Sequence, residues 1–226
     1  MKVRQISSWR IYYNRKKKET AREIIEGYGW VLRVRIMEVC GTHTHEIFRL
    51  GIRKLLPEQV ELISGPGCPV CVTQVGFIDE AIYLALERQV TICTFGDLVR
   101  VPGTNMSLAG AREKGAKIRI VYSPVDAKEY AKEHPKEQVT FLSVGFETTT
   151  PSACLSVKKA REEGLTNYSI LTANKTMPQA YEALKGSADI FLYPGHVNAI
   201  TGTKLCEELA KEGVSGVVAG FTAKEL

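Results

Sequence analysis

The stretch VTFLSVGFETTTP, residues 139–151, contains the pattern that decides the fold. Its first six residues, 139–144, are mostly apolar or β-branched, which is typical of a buried strand. A loop with glycine and threonine follows, and a helical pattern begins near residue 152. Because a strand, a loop and a helix in this order form half of a βαβ unit, the stretch predicts an α/β fold.

The same order recurs along most of the chain. Strands are predicted at 31–39, 60–64, 90–95, 117–122, 139–144, 168–172, 189–193 and 215–219. Helices are predicted near 44–56, 73–89, 105–115, 126–133, 152–163, 177–186 and 198–211. Short strands that alternate with helices favour mostly parallel sheets that are flanked by helices.

A polar, charged segment at 126–138 separates the first four predicted strands from the last four. We therefore predict two similar α/β lobes, at 29–125 and 126–226, which face a central cleft. Residues 1–28 are expected to form a leading basic helical segment.

The composition is that of an ordinary globular protein, with 44% hydrophobic and 24% charged residues among 226. No apolar run approaches the roughly 20 residues that span a bilayer, and the N-terminus lacks the apolar core of a signal peptide. We therefore expect a cytoplasmic protein that does not associate with membranes.

The net charge of +5 is a feature of the N-terminus. Residues 1–35 hold 10 Lys and Arg against 3 Asp and Glu, whereas the rest of the chain holds 20 against 22. Nucleic-acid binding usually needs a basic face on the folded body, so no nucleic-acid partner is expected. A separate hypothesis, in which residues 1–28 form a nucleic-acid-binding module, stays open.

The stretch SGPGCPVC, residues 64–71, holds Cys68 and Cys71 in a frame of glycines and prolines. Such a pair is a disulfide staple, half of a metal site or a redox-active dithiol, and a reducing cytosol favours the last two. If Cys68 lies near the start of the following helix, the helix dipole lowers its thiol pKa. No second C-x-x-C occurs, so a tetrahedral zinc site is not expected.

The stretch CGTHTHEIF, residues 40–48, places Cys40 at a strand end with His43 and His45 behind it. Thiolate and imidazole are the softer metal ligands, which suit iron, copper or zinc. Adjacent imidazoles can also activate a thiol. The alternative is that the two histidines only cap or pack the helix that follows.

Two further polar residues follow predicted strands. Glu147 in GFETTTP is a candidate base, ligand or helix-capping carboxylate, and His196 in PGHV is either structural or part of a site. The other cysteines lie inside predicted strands or helices and are expected to be small buried side chains: Cys93, Cys154 and Cys206.

The candidate site residues share one position in the pattern, because each lies in a loop directly after a predicted strand: Cys40, Cys68, Cys71, Glu147 and His196. In a parallel α/β sheet such loops lie together at the carboxyl edge of the strands, where ligands bind. No phosphate-binding glycine loop, nucleophile elbow or zinc-protease helix motif occurs, so NTPase and hydrolase functions have no motif to support them.

Six stretches resemble the HypD family of nickel–iron hydrogenase maturation factors: MEVCGTHTHEI, LISGPGCPVCVT, TFGDLVRVPGTNMSL, VYSPVDA, FLSVGFETTTP and PGHV. The resemblance runs from about residue 30 to about residue 200. Because several long motifs in the right order are far more specific than one C-x-x-C, the chain is identified as a member of this family.

The resemblance implies an assembly scaffold with thiol redox chemistry more than a turnover enzyme. Such a protein and a small HypC-type chaperone hold iron during assembly of the Fe(CN)2CO unit, and a HypE-type protein delivers the cyanide. By this resemblance Cys40 is an iron ligand shared with the chaperone. Cys68 and Cys71 are a redox-active thiol pair. Glu147 and His196 would line the cleft.

The chain departs from the family pattern at its end. Family members continue into a cysteine-rich segment that binds a 4Fe–4S cluster, whereas no cysteine follows Cys206 here. We therefore expect a fragment or a shortened member that cannot bind this cluster in the family's manner. The alternative function is a general thiol–disulfide oxidoreductase, which would use Cys68 and Cys71 and has no use for Cys40.

Overall fold

The computed structural model describes residues 33–223 and 225–226, so the basic segment predicted at 1–28 lies outside the described residues. The strands of the described part are β1 (Val34–Glu38), β2 (Val60–Ser64), β3 (Thr91–Thr94), β4 (Ile118–Ile120), β5 (Val139–Ser143), β6 (Tyr168–Thr172), β7 (Ile190–Pro194) and β8 (Ser215–Ala219). Each of them overlaps a predicted strand, so the strand pattern is confirmed.

The helices of the same part are α1 (Gly41–Arg49), α2 (Val75–Leu86), α3 (Leu108–Glu113), α4 (Pro124–Glu133), α5 (Thr150–Glu162), α6 (Met177–Ala183), α7 (Gly195–Thr201) and α8 (Lys204–Lys211). The helix predicted near 198–211 is divided into α7 and α8, because Gly202 between them has a φ of +76°. Within the described ranges, no helix has the length and apolar character needed to cross a membrane.

The strands form two parallel four-stranded sheets. Lobe A is built on the order β2-β1-β7-β8, and lobe B is built on the order β4-β3-β5-β6. In each sheet, the strand that comes second in the chain lies at one edge, followed by the first, the third and the fourth strand of that lobe. The two lobes therefore share one topology. The predicted α/β fold with two similar lobes is confirmed, and the central cleft stays a prediction.

The strands are grouped differently from the prediction. Lobe A combines the first two strands of the chain with the last two, while lobe B is formed by the middle of the chain. The division expected at residue 126 is therefore wrong for the sheets. The polar segment 126–138 is mostly α4, which is a helix of lobe B because it buries Ala127 and Ala131 against that sheet.

The chain crosses between the lobes twice. After β2 it enters lobe B through α2, whose Ile78 and Ile82 pack with Ile92 of β3. After β6 it returns to lobe A through α6, whose Tyr181 packs with Phe191 of β7. Each crossing helix is therefore fixed by apolar burial in the lobe that it enters.

The strand order of lobe A positions the candidate site. The connections from β1 and β7 leave in opposite directions along the sheet, since β1 leads to β2 and β7 leads to β8. In parallel α/β sheets a ligand crevice opens at the carboxyl ends of the two strands that flank such a switch point. Cys40 follows β1 by two residues and His196 follows β7 by two residues, so both lie at this switch point.

Candidate functional site

Cys40 is a free, buried cysteine at the start of α1, where its extended backbone precedes the first helical residue. The fully buried Glu38 carboxylate accepts a hydrogen bond from the Cys40 N–H at 3.3 Å and another from the Thr44 hydroxyl at 2.6 Å. These bonds join the end of β1 to the first turn of α1. The position of Cys40 is therefore set by the strand and not by a loose loop.

The glycine loop that follows β2 lies directly against Cys40. The Gly41 N–H donates to the Gly67 carbonyl at 3.3 Å, and the Gly65 N–H donates to the Glu38 carbonyl at 2.8 Å. A methyl group added at Gly67 would lie 2.4 Å from the Cα and from the N atom of Cys40. Only glycine fits this approach, which holds the C-x-x-C loop beside Cys40.

The two thiols of the C-x-x-C pair are free and interact with each other. Cys68 is half-buried and Cys71 is exposed. A hydrogen bond with Cys68, followed by burial and the charge of Cys68, raises the pKa of the Cys71 thiol above its usual value. Two neighbouring free thiols can exchange electrons by closing to a disulfide.

The position near a helix start that would favour a Cys68 thiolate is not observed. The first residue of α2 is Val75, and residues 69–72 form a separate turn in which the Val72 N–H donates to the Cys68 carbonyl at 3.3 Å. The effect of a helix dipole falls off within the first turn, and both cysteines lie outside the first turn of α2. The raised pKa of Cys71 follows instead from its contact with Cys68.

Replacing Cys68 with alanine is expected to lower the pKa of Cys71 toward its usual value, because the hydrogen bond with Cys68 is the largest cause of the increase. A larger thiolate fraction should then speed alkylation of Cys71 between about pH 7 and pH 9. Peptide mass spectrometry of iodoacetamide labelling against pH measures this rate. The exposed Cys154 is the internal control, and an unchanged profile at Cys71 would contradict the thiol contact.

The two histidines of α1 face opposite sides, because residues two apart lie on opposite sides of a helix. His43 is fully buried, and its Nε2 lies 2.8 Å from the Gly220 carbonyl. In the neutral ring Nε2 donates this bond, which leaves a lone pair on Nδ1, and Nδ1 has no partner among the described residues. His45 is exposed and pairs with Glu46, so the structure does not bring it to the site.

His196 lies close to His43, with the ring of Phe221 against both. The ring centroid of Phe221 is 4.7 Å from that of His43 and 5.0 Å from that of His196. Burial, followed by the charge of His43, lowers the pKa of His196, so this ring is neutral at pH 7. Its Nδ1 is also buried without a partner in the described ranges. Two imidazoles with an unused ring nitrogen therefore stand at the switch point with Cys40.

Glu147 joins the two lobes. From the loop after β5 its Oε1 accepts a hydrogen bond from the N–H of Met177, the first residue of α6, at 2.8 Å. The Lys175 N–H donates to the Gly145 carbonyl at 2.9 Å, and Phe146 is buried in the core of lobe A. Glu147 does not cap α5, the helix that directly follows its loop, whose N-cap is Thr149; it binds the first N–H of α6 instead.

Sequence reasoning missed Tyr181, whose side chain is 2% exposed and whose hydroxyl has no hydrogen-bond partner among the described residues. Burial, followed by the charges of Cys206, Glu147, Tyr193 and Cys40, raises its pKa. Its ring lies beside those of Phe191 and Tyr193 in the core of lobe A. No sequence signal could have found it, because a tyrosine on the apolar face of a helix reads as an ordinary core residue.

The other three cysteines lie outside the loops that hold Cys40, Cys68 and Cys71. Cys93 and Cys206 are buried in the cores of lobe B and lobe A as predicted, whereas Cys154 is exposed, which corrects its prediction. Within 33–223 and 225–226, no group of three or more His, Cys, Asp or Glu residues is arranged to hold a metal ion. The cysteines that the structure describes therefore do not fit a 4Fe–4S cluster.

Comparison with known proteins matches nearly the whole chain to one family. The family model described as HypD, Hydrogenase formation hypA family, matches residues 15–226. Hydrogenase maturation factor HypD of Rhodobacter capsulatus is 46% identical over 198 residues, which are 85% of this chain and 52% of that protein.

Two further relatives carry the same name. The Cupriavidus necator protein is 44% identical over 201 residues, which cover 84% of this chain and 53% of its own. The Escherichia coli protein is 44% identical over 198 residues, which cover 85% and 53%. The chain spans about half the length of the curated relatives it matches. With a family model that matches far more than half of its residues, the chain belongs to the HypD family.

Proposed function

We propose that this protein is a scaffold of nickel–iron hydrogenase maturation that holds an iron atom at Cys40 while cyanide and carbon monoxide ligands are installed on it. Membership of the HypD family and the names of the relatives support a role in hydrogenase maturation. A HypC-type chaperone would share the iron, and a HypE-type protein would deliver the cyanide. The cytoplasm, where thiols stay reduced, is the proposed location.

The observation that carries this proposal is the backbone contact between Cys40 and the glycine loop. The methyl-group distance of 2.4 Å at Gly67 means that the two backbones touch, and Cys68 is the next residue. An iron site needs a soft anionic ligand, and a neighbouring thiol pair can supply electrons to it. This arrangement of three cysteines supports an iron scaffold more than a simple dithiol enzyme.

The residues of this chain can serve the iron in distinct ways. Cys40 would bind it as a thiolate. His43 donates through Nε2 to a backbone carbonyl at 2.8 Å, which is the usual way to orient an imidazole whose other nitrogen binds a metal. The chaperone and the diatomic ligands would fill the remaining positions, since the iron is cargo that must later be released.

We assign Cys68 and Cys71 as the redox couple of this site. Closing the pair to a disulfide forms one S–S bond and releases two protons and two electrons. The contact of their loop with Cys40 keeps this chemistry beside the iron. Cys71 is exposed, so an external thiol can reach the disulfide and reduce it again.

A general thiol–disulfide oxidoreductase is the second candidate, which the free neighbouring thiols favour. Such an enzyme attacks its substrate with a thiolate of lowered pKa. The pKa of the exposed Cys71 is raised instead. This second function also leaves Cys40 without a role, so we rank it below the scaffold.

The test is anaerobic purification of this chain together with a HypC-type chaperone, followed by iron analysis and infrared spectroscopy. The scaffold predicts a complex that contains iron and shows CO and CN stretching bands once a HypE-type protein and its cyanide source are present. A complex without iron, together with turnover of a model disulfide by the chain alone, would replace the scaffold with the oxidoreductase.

A further inference from the structure

A groove runs along β4, the strand at one edge of the lobe B sheet. The residues on either side of β4 bond to β3, through the Lys117 carbonyl and the Val121 N–H, each at 2.9 Å. Backbone groups alternate in direction along a strand, so those of Ile118 and Ile120 point away from β3. In the described part of the chain no strand pairs with this side of β4. Such an edge can accept an extended segment of another chain.

The groove has room for such a segment. Its volume is about 470 Å³, which is within the size range of known binding pockets. Besides β4, it is lined by Arg112 of α3 and Tyr130 of α4. Ile120 of β4 also lines it and is 47% exposed, so it offers an apolar contact. The groove therefore combines open backbone groups, an apolar side chain and polar walls.

The lining carries more positive than negative charge. It contains Arg112, Lys117 and Arg119 but one carboxylate, that of Glu137. This carboxylate is already occupied, because Lys117 Nζ lies 3.1 Å from its Oε1 and the Thr91 hydroxyl donates to its Oε2 at 2.6 Å. Arg112 and Arg119 form no ion pair with any residue that the structure describes. Two guanidinium groups are therefore free to bind carboxylates.

Arg119 is held in position by an aromatic stack. Its guanidinium carbon lies 4.3 Å from the centroid of the Tyr130 ring, and that ring stacks on His134 with the two centroids 4.0 Å apart. A guanidinium over an aromatic face keeps the N–H donors on its rim available. Because a side chain that is fixed before binding loses less freedom on binding, Arg119 is suited to capture a carboxylate.

Charge decides which kind of segment fits the groove. The chain's own N-terminal part is basic, with 10 Lys and Arg against 3 Asp and Glu in residues 1–35. A second copy of this chain that paired through β4 would bring the cations of the two grooves together, which is destabilising. An acidic segment of a different protein meets neither conflict.

We propose that the β4 edge of lobe B is a docking site for an acidic, extended segment of a partner protein. The segment adds a strand to the sheet by pairing with the outward backbone groups of Ile118 and Ile120. Its carboxylates pair with Arg112 and Arg119. This inference goes beyond the proposed function, since it uses no residue of the Cys40 site.

The experiment measures binding of a labelled octapeptide of alternating Val and Glu to the whole chain, by fluorescence anisotropy in about 50 mM salt. The matched peptides carry Lys in place of Glu, or N-methyl groups on all the Val or on all the Glu residues. Only the acidic sequence is expected to bind saturably. One methylated form should bind about tenfold more weakly, since it loses the donors that face β4, while the other should bind as the parent does.

Charge reversal in the groove tests the same site from the side of the protein. Arg112→Glu/Arg119→Glu is expected to weaken binding of the acidic peptide at least about tenfold, because like charges then face each other. Lys158→Glu/Lys159→Glu is the control, since both lysines are exposed on α5 and outside the groove. The methylated peptides need no variant, so the test does not depend on the folding of either one.

The other possible results overturn the proposal. They are the absence of saturable binding, equal binding of the acidic and basic peptides, equal binding of the two methylated forms, and equal effects of the two charge reversals. A dimer in sedimentation that only Arg112→Glu/Arg119→Glu dissociates would replace the acidic partner with a second copy of this chain. Tighter binding of a single-stranded oligonucleotide than of the acidic peptide would assign the groove to nucleic acid.

Discussion

Replacing Cys40 with alanine is expected to reduce the iron bound to the complex with the HypC-type chaperone to the background level. In the proposed scaffold the Cys40 thiolate would be the soft anionic ligand of the iron, and alanine has no donor atom. Loss of an outer partner of a metal ligand already costs about 10–100-fold in affinity, so loss of the ligand itself should cost more than about 100-fold. Iron analysis of the purified complex and its CO and CN bands measure the effect.

The fold should survive this change. The hydrogen bond to the Glu38 carboxylate is donated by the backbone N–H of residue 40, so the substitution keeps it. The smaller alanine side chain also fits the space of the buried cysteine. Cys154→Ser is the control, since Cys154 is exposed on α5 in the other lobe and its removal should leave the iron content unchanged. A Cys40→Ala complex that keeps its iron would remove Cys40 from the site and leave the scaffold proposal without its metal ligand.

The strands of this fold could be predicted from the sequence because a strand is a local property of apolar and β-branched runs. Their grouping could not, because no local pattern says which strands pair. β1 and β7 lie side by side, with Ile36 opposite Ile190, although the whole of lobe B separates them along the chain. The charged helix α4 misled the division, since a polar segment between strands reads as a linker until its Ala127 and Ala131 are seen to be buried.

The candidate site could be predicted in part for a related reason. The rule that ligands bind after parallel strands identified Cys40 and His196, and the shared topology explains why residues so distant in sequence meet at one switch point. The role of Glu147 as a cap for α6 depends on a contact between lobes, which no pattern within the β5–α5 loop shows. Tyr181 differs from an ordinary core tyrosine only because its buried hydroxyl has no hydrogen-bond partner among the described residues, and a sequence does not show this.

Replacing Gly67 with alanine is expected to have a large effect on both stability and iron binding. The added methyl group would lie 2.4 Å from the Cα and 2.6 Å from the carbonyl carbon of Cys40, so one backbone must move. Gly67 has no positive φ, so the close approach, and not its backbone conformation, is what requires glycine. Overpacking of this kind costs about 1–3 kcal/mol, and it should push the C-x-x-C loop away from Cys40.

The measurements are the melting temperature, the iron content of the chaperone complex and the reactivity of Cys71. We expect a melting temperature lower by about 2–4 °C for each kcal/mol, and less bound iron. The labelling profile of Cys71 should stay as in the wild type, because the Cys68–Cys71 contact lies within the displaced loop. Gly76→Ala is the control, since a methyl group at Gly76 in α2 meets nothing within 4 Å and alanine is the better helix former. If Gly67→Ala proves as stable and as rich in iron as Gly76→Ala, the loop does not touch Cys40, and the thiol pair cannot serve an iron atom held there.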